Sequence, residues 1–123
     1  MRLSRIVILA LLSLACEPEH KAELLAKTDS MLALATVRDS SLIAARTTSV
    51  EATLRLLGMQ ASDSAHLAVA REGIRWRAGE LKGDTAITSF SYGESGSGLL
   101  GVTFVREDKT SEWKLHWIGF LDE

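Results

Sequence analysis

The chain has 123 residues, enough for one domain and too few for two. Charged residues make up 24% and hydrophobic residues 46%, a globular composition that excludes disordered, collagen-like and coiled-coil chains. The 14 basic and 16 acidic residues give a net charge of -2, which excludes a strongly basic nucleic-acid-binding protein. The single cysteine excludes a disulfide framework and a multi-cysteine metal site.

The N-terminal segment has the order of a secretory signal peptide. Arg2 and Arg5 supply a basic start, and residues 6–15 form an apolar run of ten residues that contains one serine. This run is too short to span a bilayer, which takes about 20 helical residues, but it fits the apolar region of a signal peptide. We therefore predict that residues 1–15 are a signal peptide, cleaved between Ala15 and Cys16.

The sequence around the only cysteine, Leu-Ser-Leu-Ala-Cys at residues 12–16, resembles the lipobox of bacterial lipoproteins. Ser13 stands where that family usually has leucine. In the family the cysteine thiol receives a diacylglyceryl group, the signal is removed, and the new amino terminus is often acylated. The resemblance implies a lipid anchor at Cys16, because two or three acyl chains hold a protein stably where one holds it marginally. Plain cleavage leaving a free thiol, and an uncleaved buried helix, are the alternatives.

Cleavage at this bond leaves a mildly acidic domain. Removal of Arg2 and Arg5 leaves 12 basic and 16 acidic residues, a net charge of -4. This charge argues against electrostatic adhesion to anionic lipid, so we expect acyl chains to hold the protein at a bacterial membrane, on the periplasmic or outer surface. Residues 16–20 are predicted to be the lipidated cysteine and its tether, followed by a single domain over residues 21–123.

The first half of that domain has the apolar spacing of amphipathic helices. Asp39 offers an N-cap for a second helix, and the Thr-Thr-Ser segment after it predicts an interruption, since these side chains compete for backbone hydrogen bonds. Thr48 and Glu51 have the spacing of a capping box, which indicates a restart, and Gly58 is predicted to end that helix. The helices are predicted over about residues 20–37, 39–58 with an interruption at 47–49, and 62–72.

The second half has the β-branched and aromatic residues of strands, separated by turns. Alternation along the last strand places Trp113, Leu115 and Trp117 on one face and Lys114 and His116 on the other. Short connections favour an antiparallel meander, and helices followed by strands indicate an α+β fold. The four strands are predicted at about residues 74–79, 85–92, 99–106 and 112–121.

Three segments carry a resemblance to a known superfamily: residues 39–57, Lys-Gly-Asp-Thr-Ala-Ile at 82–87 and Glu-Trp-Lys-Leu at 112–115. Their order resembles the nuclear transport factor 2-like superfamily, in particular small lipoproteins with such a domain, over about residues 21–121. The resemblance implies N-terminal helices packed on a curved four-stranded antiparallel sheet that encloses a cone-shaped cavity. In that superfamily the cavity is sometimes an active site and sometimes a binding or structural space, so the fold leaves the function open.

Aromatic side chains of the predicted strands are the candidates for a ligand site. Core packing is the default role for such residues, and the alternative is a small apolar pocket with a few polar tips. The candidates are Trp76, Phe90, Tyr92, Trp113 and Trp117.

A local group of basic residues is the candidate interaction patch. Arg71, Arg75 and Arg77 would suit an acidic partner, a glycan or a phosphate, and strand alternation projects Arg75 and Arg77 the same way. A solvated sheet face is the plainer interpretation of the same residues.

The sequence offers no catalytic constellation. His20, His66 and His116 are far apart and lack metal-ligand spacing, so we expect no metal and no cofactor. Residues 96–101 match G-x-G-x-x-G by letters, but a strand follows instead of a helix, which predicts a hairpin loop. A lyase or isomerase would need a buried acid or histidine, such as His116 or Glu112 inside the cavity.

These observations predict an exported, membrane-anchored, non-catalytic binding or accessory domain of the bacterial cell envelope. Its partner would be an unknown protein or a small apolar ligand, and not a nucleic acid. A cavity-based lyase or isomerase and a structural envelope component without a specific ligand are the alternatives. An exposed sheet face would also support a homodimer.

Overall fold

The computed structural model describes residues 18–62 and 64–121. The predicted signal peptide over residues 1–15, its cleavage site and the lipidated Cys16 lie outside these residues. Within the described residues, no helix combines the length and the apolar character needed to cross a bilayer.

Helices occupy the first half of the described chain, as the apolar spacing predicts. The first helix begins at Pro18 and so includes residues 18–20, which were predicted to belong to the tether. It can begin there because a proline is well suited to the first turn of a helix. The helices are α1 (Pro18–Thr36), α2 (Ser40–Ala45), α3 (Val50–Ser62) and α4 (Ser64–Gly73).

The predicted break between α2 and α3 is confirmed, but the residue that caps α3 is different. Asp39 caps α2 as expected, with its carboxylate accepting a backbone N–H of the first turn. The Oγ of Ser49, and not that of Thr48, accepts the backbone N–H of Ala52 at 3.2 Å. The Thr48 hydroxyl instead lies 2.7 Å from Nδ1 of His116 on the last strand. The interruption thus joins the helices to the sheet.

Gly58 does not end helix α3, and the prediction that it would is wrong. The helix continues to Ser62, whose hydroxyl donates to the carbonyl of Gly58 at 2.7 Å. A glycine ends a helix when its backbone turns left-handed, and Gly58 is not among the residues with positive φ.

The four strands form one antiparallel sheet in the order β1-β2-β3-β4, which confirms the α+β class and the predicted meander. Gly83 in the β1–β2 turn has φ 62°, and Gly93 and Gly96 in the next loop have φ 85° and 69°. Gly96 therefore lies in a hairpin loop, and Gly98 and Gly101 belong to the strand that follows it, so the motif is followed by a strand and not a helix, as predicted. The strands are β1 (Arg75–Lys82), β2 (Thr85–Tyr92), β3 (Gly98–Val105) and β4 (Lys114–Phe120).

An extra residue in β4 changes which side chains share a face. The register of β4 against β3 shifts between Leu115 and Trp117, so His116 has no cross-strand partner. Because side chains alternate along a strand, one extra residue moves every later side chain to the opposite face. Leu115 faces the core and Trp117 the other side. The prediction that Trp113, Leu115 and Trp117 share a face is wrong for this reason.

Strand β1 contains the same kind of irregularity. Its register against β2 shifts between Trp76 and Ala78, with Arg77 as the extra residue. Trp76 is paired with a core residue, whereas Ala78 lies on the opposite face. The alternation that would project Arg75 and Arg77 the same way is therefore interrupted at Arg77.

The hydrophobic core lies between the helices and one face of the sheet. The sheet side contributes Phe90 and Phe104, and the segment before β4 contributes Trp113, all of them fully buried. Helix α1 supplies Leu24 and Met31 from the opposite side. These large side chains occupy the space between the two layers, and their burial is the main source of stability.

The capping contacts predict different effects for two adjacent substitutions. Ser49→Ala removes the side-chain acceptor at the start of α3 and should lower the free energy of unfolding by about 1 kcal/mol. Thr48→Ala removes only an exposed hydrogen bond and should change it by less than about 0.5 kcal/mol. Urea unfolding followed by circular dichroism measures both. An equal or larger effect of Thr48→Ala would contradict this assignment of the cap.

Candidate functional site

The face of the sheet that points away from the core carries a groove of about 520 Å³. It crosses the strands and opens to solvent. We call it the outer groove and define it by a floor of small residues and by larger apolar side chains on its walls. The floor contains Ala78, Ser89 and Gly101, and the walls contain Ile87, Trp117 and Leu121.

The register of the sheet explains why the floor of the groove is a continuous row of small residues. Ala78 pairs with Ser89, Ser89 with Gly101, and Gly101 with Gly119, so four small residues form one row across all four strands. Rows on the same face of a sheet lie about 7 Å apart, because alternate residues share a face. The small row is therefore recessed between taller rows on each side.

The walls expose apolar side chains that a sheet face in water usually lacks. Ile87 and Trp117 belong to the row on one side of the floor, joined through Thr103. Leu121 stands on the other side, where its N–H donates to the carbonyl of Leu99 at 2.8 Å. Ile87, Trp117 and Leu121 are 46%, 37% and 51% exposed, so the groove presents apolar surface to solvent.

Trp117 is held against the sheet although its ring is partly exposed. A Cβ at Gly119 would lie only 2.7 Å from Cη2 of the indole, and one at Gly101 only 3.1 Å from Cζ3. The two glycines therefore let the ring approach the backbone closely. The guanidinium of Arg55, from α3, lies 4.6 Å from the ring centroid, a cation–π contact, and its Nε donates to the carbonyl of Ile118.

The other aromatic candidates lie on the opposite side of the sheet. Phe90, Tyr92 and Trp113 are buried in the core, and Trp76 is half-buried and packs edge-on against Phe90 with ring centroids 5.6 Å apart. The structure brings these four together in or beside the core and separates them from Trp117. Only Trp117 of the predicted ligand residues lines the outer groove.

The three arginines of the predicted patch have separate surroundings. Arg71 forms an ion pair with Asp29 of α1 at 3.6 Å, and Arg75 donates to the carbonyl of Gly93 at 2.7 Å. Arg77 is exposed in the β1 bulge. Arg75 alone of the three shares the face of the outer groove through its register with β2.

The acid and the histidine considered for catalysis are both exposed. His116 contacts the Thr48 hydroxyl, and the carboxylate of Glu112 accepts a hydrogen bond from Lys27 of α1 at 2.6 Å. Lys27 also donates to the carbonyl of Trp113 at 2.7 Å. Among the described residues, no three His, Cys, Asp or Glu side chains are grouped so as to hold a metal ion.

Lys27 changes the titration of its partner. Its hydrogen bond and its positive charge lower the pKa of the Glu112 carboxyl below the ordinary value of 4.5. The ion pair links α1 to the segment that enters β4, so protonation of Glu112 weakens a connection between the two layers.

A second groove, of about 530 Å³, lies beside Glu112 and includes Thr48, Arg106 and Lys114. Two of its charged side chains already have partners, since Glu112 pairs with Lys27 and the Nε of Arg106 donates to Asp84 at 3.1 Å. The outer groove, whose apolar walls face water, is the better candidate for a binding site.

Sequence reasoning missed most of the outer groove, although one signal for it was present. In Thr85–Tyr92 the buried positions alternate with Ile87 and three hydroxyl-bearing residues, so Ile87 is the only apolar residue of that strand on the outer face. The contact between Arg55 and Trp117 has no local signal, because it joins residues far apart in the chain.

No protein-family model, curated protein or solved structure matches this chain. The fold and the site define a small α+β protein with helices on one face of an antiparallel sheet and a solvent-facing groove on the other.

The seat of Trp117 predicts opposite effects for two glycine substitutions. Gly119→Ala places a Cβ against the indole and should lower the free energy of unfolding by about 1–3 kcal/mol. Gly58→Ala, in a helix with open space around it, should raise it by about 0.5–1 kcal/mol. Urea unfolding measures both changes in the free energy of unfolding. Changes of the same sign would contradict the close packing of the Trp117 ring against Gly119.

The lowered pKa of Glu112 predicts part of the acid sensitivity of the fold. The ion pair stabilises fully above the unfolded-state pKa and is lost as pH falls through the lower folded-state value. Glu112→Gln should therefore lose less stability than the wild type between about pH 6 and pH 3. The difference should be below about 1 kcal/mol, since solvent screens an exposed pair. Parallel pH profiles in urea unfolding would count against this contribution.

Proposed function

We propose that this protein is an exported, lipid-anchored, non-catalytic binding or accessory domain of the bacterial cell envelope, and that the outer groove is its binding surface. The exposed apolar walls around a floor of small residues carry the proposal. Large apolar side chains on a solvated sheet face are costly to leave uncovered, and they favour association with a partner or a small apolar ligand.

The position of the cysteine supports the anchor. Cys16 is the only cysteine and stands two residues before Pro18, where α1 begins. Two residues of extended chain span at most about 7 Å. Acyl chains on Cys16 would therefore keep the domain close to the membrane surface, with α1 as its nearest element.

The surroundings of the polar candidates favour binding over catalysis. His116 and Glu112 lie outside the outer groove, and each already contacts a neighbouring side chain. A lyase or isomerase needs an acid or base within hydrogen-bond distance of the reacting atom, whereas a binding surface needs only shape and exposed apolar area.

The test is mass spectrometry of the protein purified in nonionic detergent from envelopes of its natural host. We expect a chain that begins at Cys16 and carries a diacylglyceryl group, and we expect Cys16→Ser to leave the membrane fraction. Ser13→Leu, which restores the residue usual in the lipobox, is the matched control and should stay membrane-bound. A species that begins at Met1, or an unmodified thiol, would overturn the anchor.

The same purification tests the binding surface. Material that co-purifies with the wild type should be lost from Trp117→Ala and kept by Val50→Ala, an exposed apolar residue on α3. Recovery of neither partner nor ligand with the wild type, or equal recovery with both variants, would contradict binding at the outer groove.

A further inference from the structure

Basic side chains lie around the outer groove without lining it, and one of them, Lys114, also lines the second groove. Arg75 and Lys82 lie on the outer face of β1 and Lys114 on that of β4, as their register with the neighbouring strands shows. Arg55 adds a fourth positive charge over Trp117. We call Arg55, Arg75, Lys82 and Lys114 the basic rim.

The basic rim has the opposite sign to the chain as a whole, which carries a net charge of -2. Strands β2 and β3 contain no charged residue, and Glu80 is the acid of β1 on this face. Glu80 lines the groove itself, so the four basic residues outnumber one acid and the net charge around the groove is positive.

The charge of Lys114 acts on Glu112, but no acidic side chain of the described chain lies within ion-pair distance of the rim. Within residues 18–62 and 64–121 none of the four basic residues forms an ion pair. Arg75 donates to the carbonyl of Gly93 and Arg55 to that of Ile118, both of them neutral acceptors. The positive charges remain available to a partner.

We infer that the outer groove binds an extended acidic polypeptide segment of another protein, with an apolar side chain of that segment seated on the floor, between the row of Ile87 and Trp117 on one side and Leu121 on the other. The inference rests on the proposed binding function and specifies its partner. The groove crosses four strands, about 14 Å, which is the length of about four residues of extended chain. In such a chain, side chains point alternately into the groove and away from it. Apolar residues would face the floor, and acidic residues between and beside them would reach the basic rim.

Charge argues against a second copy of this chain on the same face. A symmetric dimer places the same surface on both sides of the interface, so two basic rims would face each other. Juxtaposed like charges disfavour association, whereas an acidic segment gains attraction and a faster encounter. An anionic membrane surface would satisfy the rim, but a flat surface does not enter a recessed groove.

The test uses the full-length protein in nonionic detergent and three short fluorescein-labelled peptides of alternating composition. One alternates glutamate with leucine, one lysine with leucine and one serine with leucine, and protein-free micelles give the blank. Fluorescence anisotropy should show the glutamate peptide binding at least about tenfold more tightly than the lysine peptide, with a preference that weakens as salt is added.

Charge reversal identifies the surface. Lys82→Glu combined with Lys114→Glu should abolish or reverse the preference for the glutamate peptide. Lys21→Glu, an equally exposed change on α1, should leave the preference unchanged. Thermal unfolding of each variant shows that the fold is intact, and an unchanged preference in the folded double variant would overturn the inference.

Other outcomes separate this inference from the proposed function. Equal binding of the serine and glutamate peptides would overturn the acidic partner and leave a binding groove standing. If the double variant loses affinity for detergent micelles that contain phosphatidylglycerol but not for the glutamate peptide, the occupant is a membrane surface and the inference is wrong. It is equally wrong if the wild type sediments as a dimer that Ile87→Glu converts to a monomer.

Discussion

The single extra residue in β4 is the constraint on which the outer groove depends. With regular alternation Trp117 would face the core beside Leu115, and the outer face of β4 would have no aromatic side chain. The segment between α2 and α3 runs beside the strand at this point. The carbonyl of Arg46 accepts the N–H of Leu115 at 2.9 Å, and the N–H of Thr48 donates to the carbonyl of Leu115 at 3.0 Å. Backbone hydrogen bonds thus fix Leu115 on the core side, and the bulge follows directly after it.

The outward position of Trp117 then requires the glycines. An indole on a sheet face holds one position only where its ring packs against other atoms. Gly101 and Gly119 lack a Cβ, so the ring can lie directly against the backbone of the sheet. Arg55 covers part of the ring and satisfies a carbonyl on the free edge of β4, a position that would otherwise invite pairing with another chain. The same contacts therefore protect the edge strand and hold the wall of the groove in place.

The charge distribution makes this surface selective for the sign of the occupant's charge. Its apolar residues alone would not provide this selectivity. Apolar walls favour any occupant that removes them from water, including a second copy of the chain. The basic rim selects by sign, because unlike charges attract the occupant and like charges oppose self-association. An anchor at Cys16 would add proximity to the membrane, which raises the effective concentration of partners in the same compartment.

Local patterns in the sequence are sufficient to predict the class of fold and the order of its elements. The change from helical spacing to alternation near residue 73, the short turns and the glycine-rich hairpin loop are local patterns, and each has a local physical cause. The same local chemistry gave the N-cap of α2 and the break before α3. It also gave the prediction of a signal peptide and an anchor at Cys16, which involves residues outside the described part of the chain.

Which side chains share a face, and which of them meet, depends on how the chain packs. Both bulges add one residue without changing the hydrophobic pattern, so alternation counted along the sequence assigned Trp117 to the wrong side. Gly58 continues its helix because the backbone around it stays right-handed, which composition does not reveal. Arg55 reaches Ile118 across 63 positions of sequence, and a contact of that kind exists only once the helices have packed on the sheet.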